Sequence, residues 1–375
     1  MISFWENKNL VQFDVIVIGS GICGLSTACS IKEKKPELKV AILERGILPS
    51  GASTKNAGFA CIGNPTEDLS DLAIMGENGF IELVRKRYNG LQILRNRLGD
   101  ENIVYEATGS HEIIFHEQEF DESNIELLNQ ILYPVFNCKV FEKLTNQHSY
   151  FGFDKNKVQA IYKNLLDGQI DTGFMMDHFV SYANKLGIRI FTGTSVESFE
   201  DAGKSVILDV KSEFQHLQMS AQKLAICTNA FSKKLLPEIE LQPGRGQVLI
   251  TTEIKGLQLN GTYSFDEGFY YFRNVGKRVL FGGGRNLDFE KEETLEFELN
   301  HQIQNQLITH LKDWIIPKQE FEIERQWAGI MAFGGNKTPY IKKLSDNVVA
   351  GVRMNGMGVA LSGKIGEELA EMLFE

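Results

Sequence analysis

Residues 13–24 read FDVIVIGSGICG. The run 13–18 is rich in β-branched residues, which suit a buried pleated surface, and it stops at glycines spaced G-x-G-x-x-G: Gly19, Gly21 and Gly24. Each glycine has a mechanical task. Gly19 allows the sharp turn, Gly21 lets a pyrophosphate reach the backbone, and Gly24 lets the following helix pack close to the strand. Ile22 and Cys23 fill the variable positions, small and apolar residues continue at helical spacing to Lys34, and VAIL at 40–43 supplies a second strand. The unit is strand, helix, strand, and the free N–H groups and positive dipole end of its helix N-terminus form an anion site. Glu44, at the end of the second strand, is placed to accept hydrogen bonds from both ribose hydroxyls. A turn that merely joins strand to helix is the alternative, and three glycines in register followed by that carboxylate outweigh it. The pattern predicts a bound dinucleotide and does not separate FAD from NAD.

Outward from this unit, the 375 residues exceed what one hydrophobic core usually serves and predict two domains. A 43% hydrophobic and 23% charged composition is that of an ordinary globular chain, which excludes a disordered one. With 49 acidic against 39 basic residues, a net charge of -10 and no basic run, nucleic acid is excluded as a partner. No stretch approaches the roughly 20 apolar residues of a transmembrane span, and residues 1–10 lack the apolar run of a signal peptide. A cytoplasmic protein is expected. The five cysteines include no C-x-x-C pair, which argues against a disulfide framework, a zinc site or a dithiol centre. All five are expected to be small buried residues. The seven histidines show no metal-binding spacing, so no metal is expected.

Periodicity predicts helices at 79–98, 122–132, 174–186 and 292–311. Strands are predicted within 103–115 with Gly109 as the turn, at 188–191, within 206–226, and at 248–252, 268–273, 278–282 and 321–331. Residues 348–374 repeat the opening pattern of strand, glycine-rich turn and helix. The expected fold is α/β: a Rossmann-type nucleotide-binding domain assembled from both ends of the chain, interrupted by an α+β, largely antiparallel domain.

Residues 49–59 read PSGASTKNAGF, and here the chain resembles the flavoprotein family of D-amino-acid oxidase, glycine oxidase and sarcosine oxidase. Four features carry the resemblance. The fingerprint through Glu44 and Arg45 leads into Gly51-Ala52-Ser53-Thr54-Lys55-Asn56-Ala57-Gly58, similar to the family loop G-A-S-x-[RK]-N-x-G. Segment 193–198 (GTSVES), containing Val196, resembles the adenine-contacting segment, and 226–231 (ICTNAF), with Thr228 and Asn229, stands where relatives have A-T-G-A-[WY]. PGRGQV at 243–248 and Trp327-Ala328-Gly329-Ile330 resemble the strands entering and leaving the substrate domain. Finally, Gly351 to Gly358, with Asn355, Gly356 and Met357, is like the closing turn whose amides face the flavin pyrimidine.

The resemblance implies noncovalent FAD stretched between a discontinuous FAD-binding domain (1–108, 152–236 and 324–375) and a substrate-binding domain (109–151 and 237–323), as in glycine oxidase. Relatives that tether flavin use a later cysteine or an early histidine, whereas here no cysteine follows Cys227 and the first histidine is His111. The implied chemistry is hydride transfer from a carbon beside an amine nitrogen to the flavin, giving an imine, with oxygen or a carrier such as a quinone as acceptor. No catalytic side chain is expected, because the cofactor is the electron sink. The alternative within the same fold is a dehydrogenase oxidising the C–O bond of a 2-hydroxy acid or glycerol phosphate, with a quinone acceptor. A protein that keeps FAD without turnover is a third.

Relatives acting on simple amino acids hold the substrate carboxylate with an arginine shortly after W-A-G and a tyrosine on a substrate-domain strand. Alignment puts Met331 at the first position and Phe269 near the second. An α-carboxylate would then be poorly paired, which is costly, so a bulkier or more amine-like substrate is expected. Tyr270, Tyr271, Arg273, Arg285 and Arg353 are the candidates for another anchor. The bland reading of each is a sheet aromatic in a core or a solvated rim arginine. Leu280 stands near the lysine with which sarcosine oxidases activate oxygen.

Overall fold

Gln12–Ile18 lies inside an eight-stranded sheet, parallel to His216–Ile226 on one side and to Val40–Leu43 on the other. Its two faces feed different cores, Val15 and Val17 on one and Ile16 and Ile18 on the other, as expected of a parallel strand covered on both sides. The computed structural model describes residues 2–145, 151–154 and 156–375; residues 146–150, at the end of the first expected substrate-domain segment, lie outside them. Val40–Leu43 pairs onward with Arg189–Phe191, and His216–Ile226 with Val348–Val352, so strands from the beginning, middle and end of the chain share this sheet. Helices Ile22–Lys34, Pro65–Leu98 and Gly358–Met372 contribute to the core on one face. The other is closed by Ser195–Asp201 and Val206–Lys211, which pair antiparallel beside His216–Ile226.

A second eight-stranded sheet has the order Ile323–Phe333, Gln242–Thr251, Arg278–Gly283, Tyr270–Val275, Thr262–Phe265, Ser110–Phe115, Val158–Asn164 and Phe141–Lys143. All its pairings are antiparallel except Thr262–Phe265 with Ser110–Phe115. One face packs Tyr263, Phe265, Tyr270, Phe272 and Phe281 against Trp314 and helix His301–His310. This mixed α/β architecture is the one expected, but the sheets cut the chain elsewhere than the expected segments. Val158–Asn164 and Ile323–Phe333 pair into the second sheet, because their ladder partners Ser110–Phe115 and Gln242–Thr251 lie there.

Three elements depart from expectation. Only Ser110–Phe115 of 103–115 is strand. Helix Pro65–Leu98 starts earlier than 79, capped by the Asn64 side chain and broken at Gly76, whose φ of 70° and ψ of 170° are not helical. The expected helix 292–311 is divided. Phe289–Glu292 is one short turn, and the next helix begins only after Asn300, whose side chain accepts from Gln302 and Ile303 amides. Buried Glu292 forces the division by turning inward to bind Arg245, Gln247 and Asn300. All five cysteines are free, and Cys61 and Cys138 are half-buried rather than buried. No helix among the described residues is long and apolar enough to cross a membrane.

Candidate active site

A cavity of about 830 Å³ runs from the glycine fingerprint to the second sheet. At the fingerprint end the backbone sets the shape. Gly19 has φ +101°, and a Cβ there would lie 2.8 Å from the Cys227 carbonyl oxygen. A Cβ on Gly24 would lie 1.9 Å from the Gly19 carbonyl, closer than real atoms approach. The helix that follows has no side-chain cap and no acid in its first turn, and the Ile22 amide donates to Ser53 Oγ at 3.0 Å. The last helix, Gly358–Met372, likewise starts with neither cap nor acid, after Asn355 and Gly356 turn the chain at φ 48° and 81°. By contrast, Pro65–Leu98 and Thr172–Lys185 carry caps from Asn64 and Asp171. Two helix N-termini left open toward one cavity are what a long anionic cofactor needs.

Buried Glu44 accepts from the Ser20 amide and hydroxyl at 3.1 and 2.8 Å, and from the Gly46 amide and Ser50 hydroxyl, each at 2.9 Å. The Arg45 guanidinium lies 3.5 Å over the Phe231 ring. Asn56 is consumed in building the loop: its amide donates to the Ser53 carbonyl, and its Oδ1 accepts from the Gly58 amide and Thr172 hydroxyl. Trp327 Nε1 ties the returning strand to this loop by donating to the Lys55 carbonyl at 3.0 Å. Asn229 Oδ1 accepts from the amides of Arg353 and Met354, locking the middle segment onto the closing turn.

Of the residues expected around the cofactor, Gly19, Gly21, Ile22, Cys23, Glu44, Arg45, Ser53, Lys55, Asn56, Ala57, Val196, Thr228, Asn229, Gly329, Gly351, Asn355, Gly356, Met357 and Gly358 line this cavity. Three are not among its lining. Gly24 serves helix packing, Thr54 is exposed with its hydroxyl donating to the Pro49 carbonyl, and Gly58 is turned against Ile170 and Arg273.

Of the pocket candidates, Phe269, Tyr271 and Met331 line the cavity, whereas Tyr270 and Arg273 do not. Successive strand residues point to opposite faces, so Tyr270 enters the aromatic core, stacked on Phe265 at 4.8 Å between centroids. Arg273 shares the face of Tyr271 but is buried against Gly58, and burial pushes its guanidinium down to about 10. Arg353 is a structural tie to the carbonyls of Glu240 and Thr338. Arg285 does line the cavity. Burial pushes the Tyr271 hydroxyl up to about 12, leaving it a neutral group near neutral pH. Leu280 packs with Ala57 and Val248.

Further lining residues escaped the sequence reading: Ser50, Glu67, Phe289, Phe333 and Lys337. Period two along Ile323–Phe333 would have found Phe333 beside Met331, while the others sit in loops or on a helix end with no repeating signal. No histidine is among the described lining residues, and Glu67 is engaged by Asn64 and Lys337. Among the described residues no cluster of three or more potential ligands could hold a metal.

The family model described as FAD dependent oxidoreductase (DAO) matches residues 14–372. The "Probable oxidoreductase OrdL" of Haemophilus influenzae is 24% identical over 395 aligned positions, covering 96% of this chain and 82% of that protein. A thiamine thiazole synthase of Phaeosphaeria nodorum is 26% identical over 157 positions, 42% of this chain, and the match spans only 40% of that relative. Among solved structures, L-proline dehydrogenase from P. horikoshii superposes with a TM-score of 0.77 at 17% identity, covering 97% of this chain and 93% of the other. Glycine oxidase from Geobacillus kaustophilus gives 0.75 at 16% identity, covering 97% and 95%. At such identities the structures speak for the fold.

Proposed function

The chain belongs to the DAO family of FAD-dependent oxidoreductases, and from that premise we propose that it oxidises the C–N bond of an amine or amino-acid-like substrate to an imine, with noncovalent FAD as the immediate hydride acceptor. Oxygen or a carrier reoxidises the cofactor. The observation that carries this reading is the single cavity joining two uncapped helix N-termini to an apolar pocket built on Met331, Phe269 and Tyr271. FAD, when bound, supplies the electron sink, which fits a cavity whose described lining holds no histidine. The fingerprint amides and Ser53 would hold the pyrophosphate and Val196 the adenine, while Glu44 would hold the ribose in exchange for its bonds from the Ser20 and Ser50 hydroxyls. The amides of Gly356 and Gly358 would offer positive charge at the flavin end. The chain's own contribution at the substrate end is to exclude water and align the C–N bond. The names of the structural neighbours, a proline dehydrogenase and a glycine oxidase, support a nitrogen-bearing donor.

Anaerobic mixing of the yellow protein with panels of amines and hydroxy acids tests the proposal. Bleaching by an amine is expected; bleaching by hydroxy acids alone would replace the C–N reading with C–O oxidation. Acid precipitation should release the flavin into solution, and colour retained on the polypeptide would overturn noncovalent binding.

A further inference from the structure

The strand Ile323–Phe333 presents Gly329, Met331 and Phe333 on one face, each step along it covering about 6.8 Å. Gly329 abuts the cofactor loop, since a Cβ there would lie 3.1 Å from Lys55 Cβ. Met331 comes next, opposite Gly244, and Phe333 is farthest, opposite Gln242. Over the Phe333 ring, 4.1 Å from its centroid, lies the Arg285 guanidinium, which also lies 5.0 Å from the centroid of Phe289. This seat depends on a missing side chain: a Cβ on Gly244 would meet both Arg285 Nη1 and the Phe333 ring at 2.4 Å.

The cation has no anionic partner within ion-pair distance among the described residues, and its Nε is buried without a hydrogen bond. Glu293 and Glu292 attract it from beyond that distance, and Glu292 is itself held by Arg245 at 2.8 Å. Two aromatic rings fix the orientation of a planar donor while leaving its edge unspent. A cavity-lining guanidinium left this way is a ready bidentate seat for a carboxylate. Its position matters as much as its charge. It reaches the register of Gly244 and Met331, one strand step beyond the Gly246–Gly329 pair that abuts the cofactor loop, so an acid bound there would be separated from the reacting C–N bond by roughly two residues' length of extended chain.

We propose that Arg285 is a specificity-determining anchor for a carboxylate distal to the reacting nitrogen, so that the substrates are elongated amino acids of the ω-amino type rather than glycine or plain alkylamines. The amine half of this assignment rests on the proposed C–N oxidation; the anion seat does not.

Binding to the FAD-loaded protein, read as perturbation of the visible flavin spectrum and as a shift in melting midpoint, tests the seat with probes that cannot be oxidised at nitrogen. Valerate should bind at least about tenfold tighter than valeramide, and Arg285→Gln should abolish that preference while leaving valeramide affinity unchanged. Should Arg285→Gln fail to fold, Arg285→Lys decides: a preference compressed severalfold supports the seat and an unchanged one overturns it. Equal binding of valerate and valeramide by the wild type, or tighter binding of butyl phosphate than of valerate, also overturns it. In turnover, δ-aminovalerate should exceed pentylamine and glycine in kcat/KM, with Arg285→Gln raising KM for the acid alone. If no amine bleaches the flavin while the valerate preference holds, the C–N reading fails and the anchor stands; oxidation of pentylamine and δ-aminovalerate with equal kcat/KM sinks the anchor and spares the C–N reading.

Discussion

The two ends of the cavity are built by opposite means. At the fingerprint end the shape is backbone: glycines fix the turn, two helix N-termini point inward, and Glu44 accepts from four donors of its own neighbourhood. At the sheet end the shape is side chain: Met331, Phe269 and Tyr271 line it, and Arg285 makes no ion pair among the described residues. A site that must fit one invariant cofactor can be built into the main chain, where no substitution is cheap. A site that must suit one substrate among many is written in rotamers on a sheet, where one exchange changes the chemistry accepted.

The sharpest way to break this contrast is Gly24→Ala. The added methyl would overlap the Gly19 carbonyl, 1.9 Å away, and the expected result is a destabilisation of about 3 kcal/mol or more and loss of bound flavin. Flavin content per polypeptide and the melting midpoint measure it; a yellow protein of normal stability would show that the fingerprint backbone is not the rigid element described. At the other end, Met331→Arg should leave flavin content intact and raise kcat/KM for small amino acids about tenfold or more, the gain of one charge-assisted pair. No gain for glycine would remove Met331 from the list of residues that select the substrate.

The mildest effect comes from groups outside either end. Burial pushes Glu112 up to about 8 and Asp167 up to about 7, while burial pushes His111 down to about 4. A carboxyl raised in the folded state contributes stability at low pH and loses it as pH rises toward its folded value. A histidine depressed in the folded state acts oppositely, but only between about 4 and its ordinary 6.5. Between pH 6.5 and 8 the carboxyls act alone, so the melting midpoint should fall across that window. Glu112→Gln, which keeps an acceptor for Thr66, should flatten the fall by roughly 1 kcal/mol, a degree or two in the midpoint. An identical slope in the variant would locate the titration elsewhere.

How much of this was legible in the sequence follows the same division. The fingerprint, Glu44 and the closing turn at 351–358 could be read because backbone constraints act locally: only glycine meets them, and its spacing is visible in one dimension. Met331 and Phe269 could be placed by their position relative to a motif. Tyr270 and Tyr271 could not be told apart because two adjacent strand residues cannot both face one pocket, and which of them does is set by the sheet's register, a nonlocal property. Arg273 failed for a related reason: it shares the right face, but Gly58 lies where its side chain ends. The division of helix 292–311 was hidden because Glu292 reads as a surface residue until Arg245, from a distant strand, is brought to it. Arg285 could be named from the sequence only as one of several arginines; Gly244 and Phe333, which make its seat, come from strands that meet only in the folded sheet.

The central claim, one cavity whose backbone end holds FAD and whose side-chain end presents a C–N bond to it, is tested most directly by anaerobic titration of the FAD-loaded protein with δ-aminovalerate while the visible flavin band is followed. The account predicts stoichiometric loss of the band and release of an imine-derived aldehyde. A band left unchanged by this and every other amine, or a colourless protein unable to take up FAD, would contradict it.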